Sequence, residues 1–197
     1  MPEPARLALL IGASAGGVEA LLRLLPALPA DLPAAVLVVL HRGPQPQDDG
    51  SLARLLAGSC ALPVADAWDR QPLLAGTVTL APPDYHLLVE PGPVAALSID
   101  SAVLWSRPAI DPLFESAAEV FGRGTLALVL TGASHDGGQG ALAVRRAGGR
   151  LWVQAPADAQ VATMPQHALA VAGADAVLGL DHMAQRLTHS NTWEIGP

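Results

Sequence analysis

Residues 7–25, LALLIGASAGGVEALLRLL, lead from an apolar run through a glycine-rich turn into a helical pattern. The run has no polar side chain up to Ile11, which is typical of a strand buried on both faces. Ser14 lies between Gly12 and Gly16 on the turn. Such a turn presents a serine hydroxyl at the carboxyl edge of a sheet, near the free amides of the next helix. Ser14 is therefore a candidate nucleophile.

Three further apolar runs, at residues 35–40, 126–130 and 151–153, have the same character. Because helical patterns follow most of them, they indicate a parallel sheet with helices on both faces, in an α/β fold. The segment between residues 61 and 106 differs, since prolines and glycines separate its short strands. It predicts an antiparallel hairpin or meander at one edge of the sheet.

A helix is predicted after this segment. Asp111 is a suitable N-cap, because its carboxylate can accept a hydrogen bond from a first-turn amide. Pro112 suits the first helical position, where no amide hydrogen bond is needed. The pattern predicts that this helix continues through Phe121.

The composition indicates one globular domain over residues 1–197, with 51% hydrophobic and 15% charged residues. The net charge of −7 and the 11 scattered Lys and Arg residues argue against nucleic acid as a partner. Cys60 is the single cysteine, so no internal disulfide is possible. No apolar run approaches the length that spans a bilayer, so we expect a soluble, cytoplasmic protein without membrane insertion.

Two polar residues at other strand ends complete a candidate set for nucleophilic catalysis. His41 follows the second apolar run, and Asp136 lies in the turn after the third. A serine needs a base to take its proton, and the base needs a third group to fix its tautomer. His135 is a rival base, and an alternative role for Asp136 is to cap the helix beginning at Gly137.

A dinucleotide-binding turn is an alternative interpretation. Gly12 and Gly17 would be the first and third glycines of G-x-G-x-x-G, with Ser14 in place of the second. His41 and Arg42 end the second strand where an acidic ribose ligand is expected, although Arg42 could meet a 2′-phosphate. The other histidines show no metal-ligand spacing. We predict neither a metal nor a cofactor.

The motifs together resemble the catalytic domain of the chemotaxis receptor methylesterases, the CheB family, over nearly the whole chain. In that family the first turn reads Gly-x-Ser-Thr-Gly-Gly, a histidine followed shortly by proline ends the second strand, and a Thr-Gly-Met-Gly-x-Asp-Gly turn carries an aspartate. The matching segments here are residues 12–17, 41–44 and 131–137, and further landmarks lie at 75–82, 107–114 and 164–168.

The resemblance implies a doubly wound, mostly parallel sheet, Rossmann-like, with an antiparallel hairpin. It implies that Ser14 attacks an ester carbonyl, that His41 is the base and then the acid, and that Asp136 orients His41. The amides of Ala15 and Ala133 are the implied oxyanion site. The chain departs from the family at these two alanines, at Ser134, and in the later stretch at residues 154–156.

The implied reaction is hydrolysis of glutamate γ-methyl esters to glutamate and methanol, with glutamine deamidation as a second activity. The implied partner is a methylated chemoreceptor or another signalling protein. The family has a receiver domain before the catalytic domain, whereas only six residues precede Leu7 here, so we expect no receiver domain in this chain. The alternative is a CheB-like binding module with little or no activity in a signalling complex, because the residues around the proposed triad differ.

Overall fold

The computed structural model describes residues 4–42 and 50–193. None of the helices in this part of the chain combines the length and apolar character needed to cross a bilayer. The strands are β1 Leu7–Ala13, β2 Ala34–Leu40, β3 Val64–Asp66, β4 Val78–Leu80, β5 His86–Glu90, β6 Val94–Ser98, β7 Thr125–Val129, β8 Arg150–Gln154 and β9 Ala176–Leu178. The helices are α1 Gly17–Leu24, α2 Ser51–Ala57, α3 Ile110–Phe121, α4 Gly138–Arg146, α5 Thr163–Ala172 and α6 Leu180–Leu187.

The main sheet has the strand order β3-β4-β2-β1-β7-β8-β9, and all its pairs are parallel. The chain starts at the central strand β1, builds outward through β2, and later returns to β7 on the other side of β1. The four apolar runs are strands β1, β2, β7 and β8, and the predicted doubly wound sheet is confirmed. Ligands of such sheets bind outside the carboxyl ends of the strands, at the point where the strand order reverses. Here that point lies between β1 and β7.

Two hydrophobic cores cover the two faces of this sheet. Leu10 of β1 belongs to the core under α3, α4, α5 and the antiparallel hairpin. Leu9 and Ile11 of the same strand belong to the core under α1, α2 and α6. Both faces of β1 are therefore buried, because alternate side chains point to opposite faces of a strand. This burial explains why the run from Leu7 to Ile11 has no polar residue.

The antiparallel hairpin is formed by β5 and β6. Within the described residues it makes a two-stranded sheet of its own, so its predicted place at the edge of the main sheet is corrected. Leu87 and Val89 are buried in the core beside α3, and the Val89 amide donates to Ser116 Oγ in that helix at 3.0 Å. The hairpin therefore contributes apolar side chains to the core and does not extend the main sheet.

The start of α3 also differs from the prediction. Ala109 is the N-cap and Asp111 is the second helical residue, so Asp111 does not cap its own helix. Its Oδ1 instead accepts a hydrogen bond from the Gly140 amide, in the first turn of α4, at 2.7 Å. The sequence pattern indicated a capping carboxylate but could not indicate which helix it caps, because α3 and α4 are distant in the chain.

Candidate active site

Ser14 directly follows β1, on the turn that leads into α1. Its amide donates to the Thr131 carbonyl at 2.9 Å, and its carbonyl accepts from the Gly17 amide at 2.8 Å, which closes the turn. Gly16 has a φ of 79°, in the left-handed region that favours glycine. A Cβ at Gly16 would lie 2.4 Å from Gln160 Oε1. The turn therefore requires this glycine to hold Ser14, which is half-buried, at the sheet edge.

The loop after β7 passes against Ser14 at Gly132. A Cβ at Gly132 would lie 2.8 Å from Ser14 Cβ and 2.0 Å from Met164 Sδ, so no larger residue fits without displacement. The Gly132 amide donates to the Val161 carbonyl, and its carbonyl accepts from the Met164 amide, both at 3.0 Å. These contacts fix the Ser14 turn relative to the loop that carries Ala133 and Asp136.

His41 and Asp136 are joined by a hydrogen bond. His41 lies directly after β2, where its amide donates to the Ala13 carbonyl at 2.9 Å. Its Nε2 is 2.7 Å from Asp136 Oδ2, and the two side chains are 11% and 0% exposed. When Asp136 is ionised, Nε2 carries the hydrogen and donates it, so Nδ1 is the nitrogen that can accept a proton.

The Asp136 carboxylate also accepts three backbone amides. Ile110 donates to Oδ2 at 2.5 Å, and Asp111 and Gly137 donate to Oδ1 at 3.0 and 2.8 Å. Burial alone would raise the pKa of Asp136, but the hydrogen bonds from His41 and from the Ile110 and Asp111 amides outweigh it and lower the pKa. Asp136 is therefore held ionised, and the start of α3 adds the favourable end of its helix dipole.

A second buried carboxyl lies beside Asp136. Burial and the charge of Asp136 raise the pKa of Asp111 to about 7, although the hydrogen bond from the Gly140 amide acts in the opposite direction. Asp111 is 8% exposed. The two carboxyls thus differ in role, because Asp136 is kept ionised by its donors while Asp111 retains its proton up to neutral pH.

Ser14 and His41 line the same cleft, which has a volume of about 610 Å³. Leu22, Leu40 and Leu52 give it an apolar wall. In the described part of the chain, Ser14 Oγ makes no hydrogen bond. The bond between His41 and Asp136 is therefore present, whereas a bond between Ser14 and His41 is not. The predicted Ser14–His41–Asp136 triad stays a prediction.

The implied oxyanion residues, Ala15 and Ala133, are both exposed and lie on the two loops that meet at Ser14. Neither alanine amide donates to another residue within 4–42 or 50–193. Thr131 Oγ1 donates to the Ala15 carbonyl at 2.8 Å and accepts from the Val161 amide at 2.9 Å. This hydroxyl fixes the Ala15 peptide, a role that was not predicted from the sequence.

Gln154 supports the same loop and was also missed as a functional residue. Its Oε1 accepts from the Thr131 amide at 2.8 Å, and its Nε2 donates to Asp158 Oδ2 at 2.8 Å. Gln154 is 1% exposed. The available signal was a polar side chain directly after the apolar run at residues 151–153, since a buried amide in such a place must be hydrogen-bonded.

The rival residues have other partners. His135 is exposed and lies 4.8 Å, ring to ring, from His167, whose pKa is lowered by burial and by the charge of His135. Arg42, suggested for a 2′-phosphate, donates to the Ala81 carbonyl at 2.7 Å and pairs with Asp66 at 3.3 Å. Two residues of the predicted histidine–proline motif, at positions 43 and 44, lie outside the described residues. No group of three metal-binding side chains occurs among residues 4–42 and 50–193.

Comparison with known proteins assigns this chain to a family. The family model described as CheB methylesterase matches residues 9–187. The chain belongs to the CheB methylesterase family. The match includes every residue of the proposed triad and both oxyanion candidates, Ala15 and Ala133, and it favours this family over the dinucleotide-binding interpretation.

Individual members agree with the family assignment. The crystal structure of the Thermotoga maritima CheB methylesterase catalytic domain superimposes with a TM-score of 0.87, at 31% identity, covering 95% of this chain and 98% of that one. A Leptospira interrogans relative is 38% identical over 187 residues, covering 93% of this chain and 96% of the relative. A Methanosarcina acetivorans protein, named protein-glutamate methylesterase/protein-glutamine glutaminase 2, is 39% identical over 91% of this chain, which spans 52% of that protein.

Proposed function

We propose that this protein is a serine esterase that hydrolyses glutamate γ-methyl esters on chemoreceptors or other signalling proteins. Deamidation of glutamine in the same proteins is the proposed second activity. The observation that carries the proposal is the 2.7 Å bond between His41 Nε2 and Asp136 Oδ2, in a cleft that Ser14 shares. The names of family members such as the Methanosarcina acetivorans protein support the substrate class.

The first half of the proposed reaction forms an acyl-enzyme. Ser14 Oγ attacks the ester carbonyl carbon while His41 Nδ1 takes the hydroxyl proton, and Asp136 stabilises the imidazolium that results. The amides of Ala15 and Ala133 donate to the developing oxyanion. The C–O bond to the methoxy group then breaks, and the proton passes from His41 to the leaving methanol.

The second half regenerates Ser14. Water loses a proton to His41 Nδ1 and attacks the acyl carbonyl, and the bond to Ser14 Oγ breaks as His41 returns the proton to that oxygen. The products are the glutamate carboxyl group and the free enzyme. For a glutamine substrate, the same steps release ammonia in place of methanol.

In this scheme the base is Nδ1, because Asp136 occupies Nε2. This reverses the ring-nitrogen roles of the chymotrypsin-type triad, in which Nε2 faces the serine. Three amides and one histidine bind the Asp136 carboxylate, so its lone pairs are satisfied and the ring cannot turn over without losing a buried hydrogen bond. The base is therefore fixed in one orientation.

The proposal is tested by labelling the nucleophile and by measuring methanol. An organophosphorus reagent is expected to add one mass increment to the wild type, and methylated receptor fragments are expected to release methanol. Ser14→Ala should lose both. Ser59→Ala, which changes a serine after α2 whose hydroxyl donates to the Leu56 carbonyl, should keep both. Labelling that survives in Ser14→Ala would contradict the assignment of the nucleophile.

The binding-module alternative has support from two observations. Ser14 Oγ has no hydrogen bond to His41 among the described residues, and Ala15 and Ala133 lack the side chains found at those positions in the family motifs. Folded wild-type protein that binds receptor fragments but releases no methanol, and that resists the organophosphorus reagent, would make this alternative the better description.

A further inference from the structure

Thr131 lies two residues after β7, with 1% of its surface exposed, and all of its polar groups are hydrogen-bonded. Its carbonyl accepts from the Ser14 amide at 2.9 Å, and its hydroxyl donates to the Ala15 carbonyl at 2.8 Å. Its amide donates to Gln154 Oε1 at 2.8 Å, and the hydroxyl also accepts from the Val161 amide at 2.9 Å. One buried residue therefore binds the nucleophile turn on both sides of the peptide that joins Ser14 to Ala15.

The peptide that joins Ser14 to Ala15 carries the first proposed oxyanion donor, the Ala15 amide. Its carbonyl belongs to Ser14 and accepts from the Gly17 amide at 2.8 Å. In a planar trans peptide the N–H and the C=O point in opposite directions, so the bond that anchors this carbonyl also fixes the direction of the Ala15 N–H. Thr131 anchors the peptide before it, through the Ser14 amide, and the peptide after it, through the Ala15 carbonyl. Three successive peptides of the turn are thus held.

The second proposed donor, the Ala133 amide, is held in the same way. It shares a peptide with the Gly132 carbonyl, which accepts from the Met164 amide at 3.0 Å. The Gly132 amide donates to the Val161 carbonyl at 3.0 Å. Because the Val161 amide also donates to Thr131 Oγ1, the segment 161–164 binds both Thr131 and Gly132. The direction of the Ala133 N–H is therefore fixed by the same bonds that involve the Thr131 hydroxyl.

We infer that Thr131 is a positioning residue, whose hydroxyl sets the relative placement of the Ala15 and Ala133 amides at the oxyanion site. This inference rests on the proposed function, which assigns the oxyanion to these two amides. One hydroxyl oxygen can donate and accept at the same time. Here it donates to the Ala15 carbonyl and accepts from the Val161 amide, so the two loops cannot move apart without breaking a buried hydrogen bond. Donors fixed in this way stabilise an oxyanion without reorganising during the reaction.

The backbone of Thr131 has a separate support, which allows the hydroxyl to be tested alone. Gln154 binds the Thr131 amide, and its Nε2 donates to Asp158 Oδ2 at 2.8 Å. The same carboxylate oxygen accepts the amide of Leu180, the first residue of α6, at 3.0 Å. These bonds do not involve the Thr131 side chain, so a residue without a hydroxyl at this position would keep them. A loss of activity in such a variant would therefore report on the hydroxyl.

The decisive variant is Thr131→Val, which removes the hydroxyl and keeps the branched shape. The Val161 amide and the Ala15 carbonyl lose their shared partner, so Tm should fall. Removing one oxyanion donor altogether lowers kcat about 10²–10³-fold, and loosening two donors that are still present should lower it about tenfold to a hundredfold. KM should stay within about threefold of the wild-type value, because the oxyanion exists only after Ser14 has attacked.

Two matched controls separate this role from a general loss of stability. Thr131→Ser keeps an oxygen that can make both bonds, so its kcat should stay within about threefold of the wild-type value. Thr192 is also buried, and its hydroxyl donates to the Arg186 carbonyl at 2.6 Å. Its own carbonyl accepts from Arg150, the first residue of β8, at the end of the sheet opposite to Ser14. Thr192→Val should therefore lower Tm and leave kcat unchanged.

The full-length variants are compared in two assays, at a temperature where circular dichroism shows each of them folded. Methanol release from methylated receptor fragments gives kcat and KM. The second-order rate constant for labelling by an organophosphorus fluoride needs no protein substrate, because the phosphoryl oxygen of the reagent takes the oxyanion position. Both kcat and this rate constant should fall in Thr131→Val and be restored in Thr131→Ser. If Thr131→Val does not fold, Thr131→Ala replaces it, since the smaller side chain leaves room for a water molecule that bridges the two stranded groups.

The inference about Thr131 would be overturned by any of three results. The first is a wild-type kcat and labelling rate in folded Thr131→Val or Thr131→Ala. The second is an equal loss in Thr131→Ser, since the hydroxyl would not be the cause, and the third is an equal loss in Thr192→Val, since lower stability would then explain it. A wild type that is labelled but releases no methanol would refute the proposed substrate, and the labelling rates would still decide the role of Thr131. A folded wild type that is neither labelled nor active would refute both proposals.

Discussion

Replacing Asp136 by asparagine tests the centre of the proposed site. Each carboxylate oxygen faces two donors: His41 and the Ile110 amide at Oδ2, and the Asp111 and Gly137 amides at Oδ1. An asparagine has one acceptor oxygen and one NH₂ group. Its NH₂ group must therefore face two groups that were donors, in either orientation.

The least costly orientation places the NH₂ group toward His41 and Ile110. His41 can adapt by moving its hydrogen to Nδ1 and accepting at Nε2, but the Ile110 amide then has no acceptor. One buried amide without a partner costs about 1–3 kcal/mol. For a chain of this size, each kcal/mol lowers Tm by about 2–4 °C, so Asp136→Asn should lower Tm by roughly 2–12 °C.

The same rearrangement removes the base. Nδ1 now carries the hydrogen and cannot accept the proton of Ser14, which is the wrong tautomer for catalysis. The corresponding aspartate-to-asparagine change in a chymotrypsin-type protease lowers kcat about 10⁴-fold. We expect a loss of about that size in methanol release from receptor fragments, with the Tm of the same preparation measured in parallel.

The matched control is Asp111→Asn. Asp111 is a neighbouring carboxyl, 8% exposed against 0% for Asp136, and within the described residues its side chain accepts the Gly140 amide alone; an asparagine oxygen can replace that acceptor. This variant should not lower Tm at pH 7, and should raise it, because a neutral amide avoids the cost of ionising a buried carboxyl. Because the pKa of Asp136 is lowered, its contribution is present above about pH 4 and is lost on further acidification, so the Tm deficit of Asp136→Asn should shrink below pH 4. Wild-type-like kcat, within tenfold, in a folded Asp136→Asn protein would refute this account of His41.

Three further outcomes are expected. Ser14→Ala and His41→Ala should each remove most methanol release, and the double variant should cost little more than either alone, because groups that act as a unit are non-additive; additive losses would contradict a shared proton transfer. Gly132→Ala should lower kcat and destabilise the protein by about 1–3 kcal/mol in urea unfolding, since its Cβ would overlap Met164 Sδ and Ser14 Cβ; a variant with wild-type stability and kcat would contradict this close approach. The unfolding free energy of the wild type should fall between pH 4 and 7, because ionising a group with a pKa raised from 3.8 to about 7 costs the folded state on the order of 4 kcal/mol. Asp111→Asn should remove most of this fall. If the unfolding free energy of the variant fell with pH as steeply as that of the wild type, the result would be inconsistent with this role.

The sequence predicted four strands of the main sheet because burial on both faces leaves a direct mark. The prediction was wrong for β3 and β4, which lie in the segment expected to be antiparallel but are parallel strands of the main sheet. The runs that became β1, β2, β7 and β8 have no polar alternation, and their short length and flanking turn residues favour buried strands over buried helices. The carboxyl ends of such strands share one edge, so Ser14, His41 and Asp136 could be placed there without coordinates. The glycines in the turns that carry Ser14 and Asp136 also indicated this edge of the sheet.

The support around Asp136 could not be predicted, because it consists of backbone amides. Any residue carries an amide, so the donors at Ile110 and Gly137 leave no mark in the sequence. The role of Asp111 was misassigned for a related reason: a local capping signal was present, but the helix it serves is nearly thirty residues further along. Such partners depend on how α3 and α4 pack, which is decided by the whole core.

The raised pKa of the Asp111 carboxyl affects the enthalpy of unfolding that is measured in different buffers. At pH 7 its side chain is about half protonated in the native state, given a pKa of about 7, and ionised in the unfolded chain. Unfolding at this pH therefore releases about half a proton from Asp111, and the buffer takes it up. The calorimetric enthalpy of unfolding should include the heat of protonating that buffer. Enthalpies measured in Tris and in phosphate should therefore differ by the heat of transferring the Asp111 proton to each buffer.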